Sequence, residues 1–319
     1  MHTISKKLTR RILALLVSVL LVTGMLSVGA FAAENSPFQG TSISLGSDLT
    51  VNFYAEVTDT AHAVMTFKVN GGFSSVSVQN AKHIEGNLYS FPCSIAAAQM
   101  ADTIEATLTD SGNTYVKTAS VREYAQRLFA SKQWDMLAAQ DIMLATLNYG
   151  AAAQKYFAYN QDSLANDGYV KSYTTAVPEV DSTNMVTGKV SGLSFYGASL
   201  VFRSKVAVRF YFTGNAAGKT FKVGDQAYTP VAKDGMYYVE IQDINPQDYS
   251  SSVQLTVSDG TNSLTVTYSP MSYISRMYGK TENAELKALM SVMYGYYQSA
   301  VSYLADPYGN NNDNVVAAQ

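Results

Sequence analysis

The residues able to do acid–base or nucleophilic chemistry are few and scattered. Beyond the first stretch of the chain there are two histidines, His62 and His83. A nucleophile–histidine–acid triad could use either. No G-x-S-x-G turn is present to expose a serine, however, and a lone histidine in strand-rich sequence is ordinarily a surface or capping residue. Glycoside hydrolysis needs two carboxyl groups facing each other across the scissile bond, and Asp59, Asp102, Asp225, Asp243 and Asp248 could supply them. Their convergence is left open by sequence. Asp110 and Asp259 recur at corresponding places, where hairpin chemistry already accounts for them. A metal would need clustered ligands, yet there is no H-E-x-x-H, no spaced cysteine set and no calcium loop, the Asn310 to Asn314 run being acidic at one position. Glycines are dispersed at turns, so no phosphate loop is expected. We therefore predict no catalytic residue, no cofactor and no metal.

Tyrosine is the one excess, at 23 residues. A tyrosine ring offers a flat apolar body with a hydrogen-bonding tip, which suits stacking on a sugar or anchoring a protein partner. The pairs Tyr54/Tyr211, Tyr89/Tyr238 and Tyr124/Tyr273 recur and are expected to be internal, tying strands to helices. Tyr196, Tyr237, Tyr296 and Tyr303 have no counterpart and are the candidate ligand contacts.

These side chains must be positioned by a fold that occurs twice. Gly40 to Tyr54 lies without gaps over Gly197 to Tyr211, with Gly40/Gly197, Ser42/Ser199, Ser47/Ser204, Val51/Val208, Phe53/Phe210 and Tyr54/Tyr211 identical. The match resumes at Thr66–Val69 against Thr220–Val223, at Ser120, Tyr124 and Arg127 against Ser269, Tyr273 and Arg276, and at Tyr149-Gly150 against Tyr294-Gly295. Ordered matches of this kind mark two complete units. Each begins with about seven short strands. Leu49, Val51 and Phe53 alternate inward, as do Val206, Val208 and Phe210, and Asn70-Gly71 has the chemistry of a tight hairpin. The period then lengthens to a helical one. Ser120 and Ser269 are placed to cap a short helix, and a longer helix follows over Trp134 to Tyr159 in the first copy and Glu282 to Leu304 in the second. The later part of the first long helix, Leu144 to Tyr159, is weakly polar on every side, which predicts cover on more than one face. The fold class is α+β: two tandem immunoglobulin-like β-sandwich modules, each followed by a helical pair.

Lys6, Lys7, Arg10 and Arg11 precede an apolar run from Ile12 to Val28, and Ala30-Phe31-Ala32 is a small-residue cleavage signal. Residues 1–32 are thus expected to be a signal peptide cut after Ala32. The modules are expected at 33–160 and 191–306, with a linker at 161–190 and a disordered tail at 307–319. Membrane contact is expected only through the signal peptide before cleavage. Cys93 is the single cysteine, which rules out an intrachain disulfide and leaves apolar burial to hold the modules. Without the four leader cations, 18 Lys and Arg face 25 Asp and Glu, a formal charge of −7 that argues against nucleic acid.

The segment Leu147 to Asn160 (LNYGAAAQKYFAYN) resembles an uncharacterised repeat module of secreted and cell-surface proteins of Gram-positive anaerobic bacteria. In that group it accompanies a β-rich stretch opening G-A-S-L, as Gly197 to Leu200 do here. The resemblance covers most of the mature chain and implies an extracellular or envelope-associated protein, and it brings no functional residues with it. The second copy departs from the pattern, with Tyr294-Gly295-Tyr296-Tyr297 where the first has Tyr149-Gly150-Ala151-Ala152. The expected function is non-catalytic: an adhesion, scaffold or binding protein whose partner is an extracellular glycan or protein. A carbohydrate-active enzyme or accessory subunit and an architectural surface-layer component are the alternatives. An exposed aromatic strip would favour binding, two facing carboxylates hydrolysis, and a flat self-complementary face assembly.

Overall fold

The computed structural model describes residues 18–19, 36–130, 137–169, 176–180 and 185–307. Apart from a two-residue strand at β1 (Ser18–Val19), the expected signal peptide lies outside the described residues, as do Trp134 and nearly all of the expected tail. The chain divides into two compact units, residues 1–171 with 302–319 and residues 172–301.

The first unit contains β2 (Phe38–Leu45), β3 (Leu49–Glu56), β4 (Val64–Val69), β5 (Gly72–Ser77), β6 (Lys82–Glu85), β7 (Leu88–Ile95), β8 (Ile104–Asp110) and β9 (Asn113–Ala119). They form two antiparallel sheets, β1-β2-β3-β7-β6 and β5-β4-β8-β9. Helices α1 (Val121–Ala130) and α2 (Leu137–Tyr156) follow. The second unit contains β10 (Val186–Gly188), β11 (Leu193–Phe202), β12 (Val206–Gly214), β13 (Thr220–Val223), β14 (Gln226–Tyr228), β15 (Val231–Lys233), β16 (Met236–Ile241), β17 (Val253–Ser258) and β18 (Ser263–Tyr268), then α3 (Pro270–Lys280) and α4 (Ala284–Ala305). Its sheets are β11-β12-β16-β15 and β14-β13-β17-β18-β10. Lettered from β2 or from β11, both copies read A-B-E-D on one sheet and C′-C-F-G on the other, the strand order of an immunoglobulin-type sandwich. Each copy thus has eight principal strands where about seven were expected. The difference lies in short edge pieces such as β15, three residues long.

Phase follows the alternation in the sequence. Val51 and Phe53 are buried, as are Val208 and Phe210, and Phe53 meets Phe67 of the facing sheet at 5.5 Å between ring centroids. In the second copy Phe212 meets Phe221 at the same distance. Asn70 and Gly71 both take positive φ in the β4–β5 turn, as the dipeptide predicted. Ser120 Oγ accepts from the Glu123 amide at 3.0 Å and Ser269 Oγ from the Ser272 amide at 3.1 Å, so both serines cap their helices.

Helix α2 is buried on all sides at Ala138, Ala139, Gln140 and every residue from Ile142 to Gln154; the cover expected from Leu144 onward is present to Gln154, whereas Lys155, Phe157 and Ala158 are exposed. Part of the cover comes from residues 160–169, which the sequence placed at the start of a linker and which belong to the first unit. The Gln154 side chain donates to the carbonyls of Asn160 and Ser163 at 3.0 and 2.9 Å and accepts from the Ala165 amide at 2.7 Å. Asn166 donates to Asn148 at 2.7 Å, and Arg122 donates to Ser163 Oγ at 2.8 Å. A side-chain amide that closes backbone bonds in this way holds the returning chain against the helix.

Gly150 sits at the closest approach. A Cβ there would fall 2.6 Å from Met100 Sδ, 3.0 Å from Ala165 Cβ and 3.1 Å from the Ala97 carbonyl oxygen. Alanine is worth about 1 kcal/mol over glycine inside a free helix, but overpacking typically costs about 1–3 kcal/mol. Gly150→Ala is therefore expected to lower the melting temperature. A rise would show that the crowding yields freely.

Candidate functional site

Most of the groups with acid–base potential are engaged by a hydrogen-bond or ion-pair partner. His62 Nδ1 lies 3.1 Å from Asp59 Oδ2, with its side chain 84% exposed. Asp59 also accepts from the Ala61 and His62 amides, and the Ala61 bond foremost draws its carboxyl below the ordinary value. His83 Nε2 is 2.9 Å from the Gly86 carbonyl, and its ring meets Tyr89 edge-on at 5.0 Å. Asp102 accepts from the Tyr159 hydroxyl and, at 3.0 Å, from Asn160. Asp243 pairs with Lys205 at 2.6 Å, Asp248 accepts from Asn245 at 3.0 Å, and Asp225 is exposed in the β13–β14 turn. Cys93 is buried on the inner side of β7, and burial pushes its thiol up to about 12. Among the described residues, no three His, Cys, Asp or Glu side chains gather where a metal could be held.

The two recurring aspartates do different work. Asp259 mainly serves its own hairpin, accepting from the Asn262 and Thr261 amides at 2.7 and 3.0 Å and, more weakly, from the distant Ser191 amide at 3.3 Å, and the hairpin bonds foremost lower its carboxyl to about 2. Asp110 is buried and reaches across to the turn after β3, accepting from the Thr58 and Asp59 amides at 2.7 Å each. Hairpin geometry explains the two short bonds of the first and neither long-range bond of the second.

The tyrosines fall on both sides of their elements. Tyr296 is buried, because it continues the stripe of Leu289, Met293 and Ala300 along α4, so it is not the exposed contact expected of it. Tyr303 is half-buried near the end of the same helix. Tyr237 is half-buried and stands opposite the buried Phe212, on the core side of β16. Tyr196 is 70% exposed at an irregularity in β11, between Phe195 and Gly197. Tyr54 and Tyr211 bridge neighbouring strands on the outer side of their sheets: Tyr54 Oη is 2.9 Å from Ser42 Oγ, and Ser199 Oγ donates to Tyr211 Oη at 3.3 Å.

Register also corrects one pairing. Tyr54 stands opposite Ser90, and Tyr211 stands opposite Tyr238. Tyr238 therefore corresponds to Ser90, and Tyr89 corresponds to Tyr237. A one-residue slip reverses the face of every side chain in a strand, so the consecutive Tyr237 and Tyr238 exchange roles.

The outer face of the β11-β12-β16-β15 sheet then stands out as particular to the second copy. Tyr196 replaces Gln39, Arg209 replaces Asn52, Tyr238 replaces Ser90 and Glu240 replaces Pro92, while Tyr211 and Ser199 are kept as Tyr54 and Ser42. Arg209 Nε donates to Glu240 at 3.0 Å, and its guanidinium carbon lies 4.2 Å from the Tyr238 ring centroid. Gln242 donates to the other Glu240 oxygen at 2.7 Å. Burial would raise the Glu240 carboxyl, but the bonds from Arg209 and Gln242 outweigh it and hold the value below the ordinary one. Tyr211 and Tyr238 lie 6.3 Å apart between centroids. The result is a mixed face that carries the Arg209–Glu240 pair, with Val231 and Lys233 exposed on the same side of β15 and the exposed Tyr196 in β11. The signal for it was the exchange of outer-phase residues between copies, which becomes readable once register is known.

No protein-family model matches the chain, and no curated protein matches it. Among solved structures, a chimeric titin Z1Z2-Z1Z2 tandem carrying a GRGDS peptide from fibronectin is 11% identical, with 72% of this chain and 96% of that one covered at a TM-score of 0.17. A titin fragment described as A168169 is 10% identical, with 69% and 89% covered and the same score. The fold assignment rests on strand order and register.

Proposed function

We propose that this is an exported, non-catalytic binding protein of a bacterial envelope or its surroundings, released from its signal peptide after Ala32, and that it holds a neutral glycan on the outer face of the β11-β12-β16-β15 sheet. The observation that supports this is the divergence of that face while the cores of the two copies are kept. Protein interfaces usually centre on a desolvated apolar cluster. Here an exposed ring, Tyr196, stands in β11 next to the position paired with Tyr211, and Ser199, Arg209 and Glu240 follow along the same sheet, which suits a sugar with an apolar face and a rim of hydroxyls. The Arg209–Glu240 pair cancels its own charge, which favours a neutral ligand over an anionic one.

The test is glycan-array binding of residues 33–319, followed by titration of Tyr196→Ala with any glycan retained. Loss of a stacking contact of about 1.4 kcal/mol weakens binding by roughly tenfold. Absence of glycan binding, or unchanged affinity in the variant, would overturn the assignment. Turnover of a bound polysaccharide would favour a carbohydrate-active enzyme.

A further inference from the structure

Among the described residues, the two sandwiches differ at one sheet edge. In the second, β10 covers β18, pairing Val186 with Val266, Thr187 with Thr265 and Gly188 with Leu264. In the first, the corresponding strand β9 is paired on one side only, with β8, among the described residues. The core-facing positions of β18 hold Leu264 and Val266, both buried. The same positions of β9 hold Tyr115 and Lys117, which stand opposite the buried Leu108 and Ala106. Lys117 is exposed.

An uncovered edge offers unpaired amides and carbonyls to any strand of another molecule. β9 is seven residues long, and Val116 on its outer side is 60% exposed, so little else discourages addition. Two β9 strands could pair about a two-fold axis, which is the self-complementary form of contact. A lysine in the core-facing row opposes this, because an added strand would bury its ammonium against the apolar interior.

We propose that Lys117 guards β9 against antiparallel pairing with β9 of a second copy of this chain, doing by charge what Val186–Gly188 does for β18 by occupation. The test is sedimentation or light scattering of residues 33–319 over a range of concentrations, with circular dichroism as the check on folding. The wild type and Lys117→Glu are expected to remain monomeric, and Lys117→Val, which installs the residue type found at Val266, is expected to dimerise. Gly188→Ala provides an independent arm, since its Cβ would meet the Ser263 carbonyl oxygen at 2.2 Å at a φ of +73° and unseat the covering strand. That variant is expected to self-associate through β18. A monomeric Lys117→Val, a dimeric wild type, or equal association of the Glu and Val variants would overturn the proposal.

Discussion

Phe210→Ala is expected to cost about 3–5 kcal/mol of folding stability, and Phe53→Ala a similar amount in the first unit. Both rings are fully buried and each meets an aromatic partner, Tyr268 at 6.5 Å for Phe210 and Phe67 at 5.5 Å for Phe53. Truncation removes the transfer energy of the ring and leaves a cavity between two sheets whose hydrogen bonding resists collapse. Denaturant unfolding of each variant reads the loss. Values below about 1 kcal/mol at both sites would show that the interiors repack around the missing rings.

The second large effect is expected at Asp110. Hydrogen bonds to a charged group contribute about 1.5–3 kcal/mol each, and Asp110 accepts two from the turn after β3. Asp110→Ala is expected to cost about 3 kcal/mol, with Asp110→Asn intermediate because one acceptor remains. Asp259→Ala is expected to be milder, since the bonds it breaks are exposed and its one long-range bond, from Ser191, is long at 3.3 Å. Equal losses at the two aspartates in the same unfolding assay would mean that the long-range bonds of Asp110 carry no extra stability.

Local chemistry was legible in the sequence. The alternation around Phe53 and Phe210, the hairpin at Asn70-Gly71 and the capping serines Ser120 and Ser269 each depend on a few neighbouring residues. What was hidden depends on contacts distant in sequence. Asp110 looks like a hairpin aspartate until Thr58 and Asp59 are beside it, and Asn160 to Tyr169 looks like a linker until Gln154 binds its carbonyls. The candidate face was hidden by two adjacent tyrosines. Tyr237 and Tyr238 are interchangeable in an ungapped comparison, and only pairing with β12 shows which one shares a side with Tyr211.

Strand β10 also determines how the second sandwich would respond to mechanical load. It runs antiparallel to β18, so the end at which the chain enters β10 lies beside the end at which the chain leaves β18 for α3. Tension applied between those points peels the ladder from the Met185–Thr267 bond onward instead of shearing all its pairs together. A three-residue ladder opened in sequence yields at the strength of one pair at a time. Opened in that order, the ladder would expose Leu264 and Val266 while the longer β11–β12 ladder is still paired.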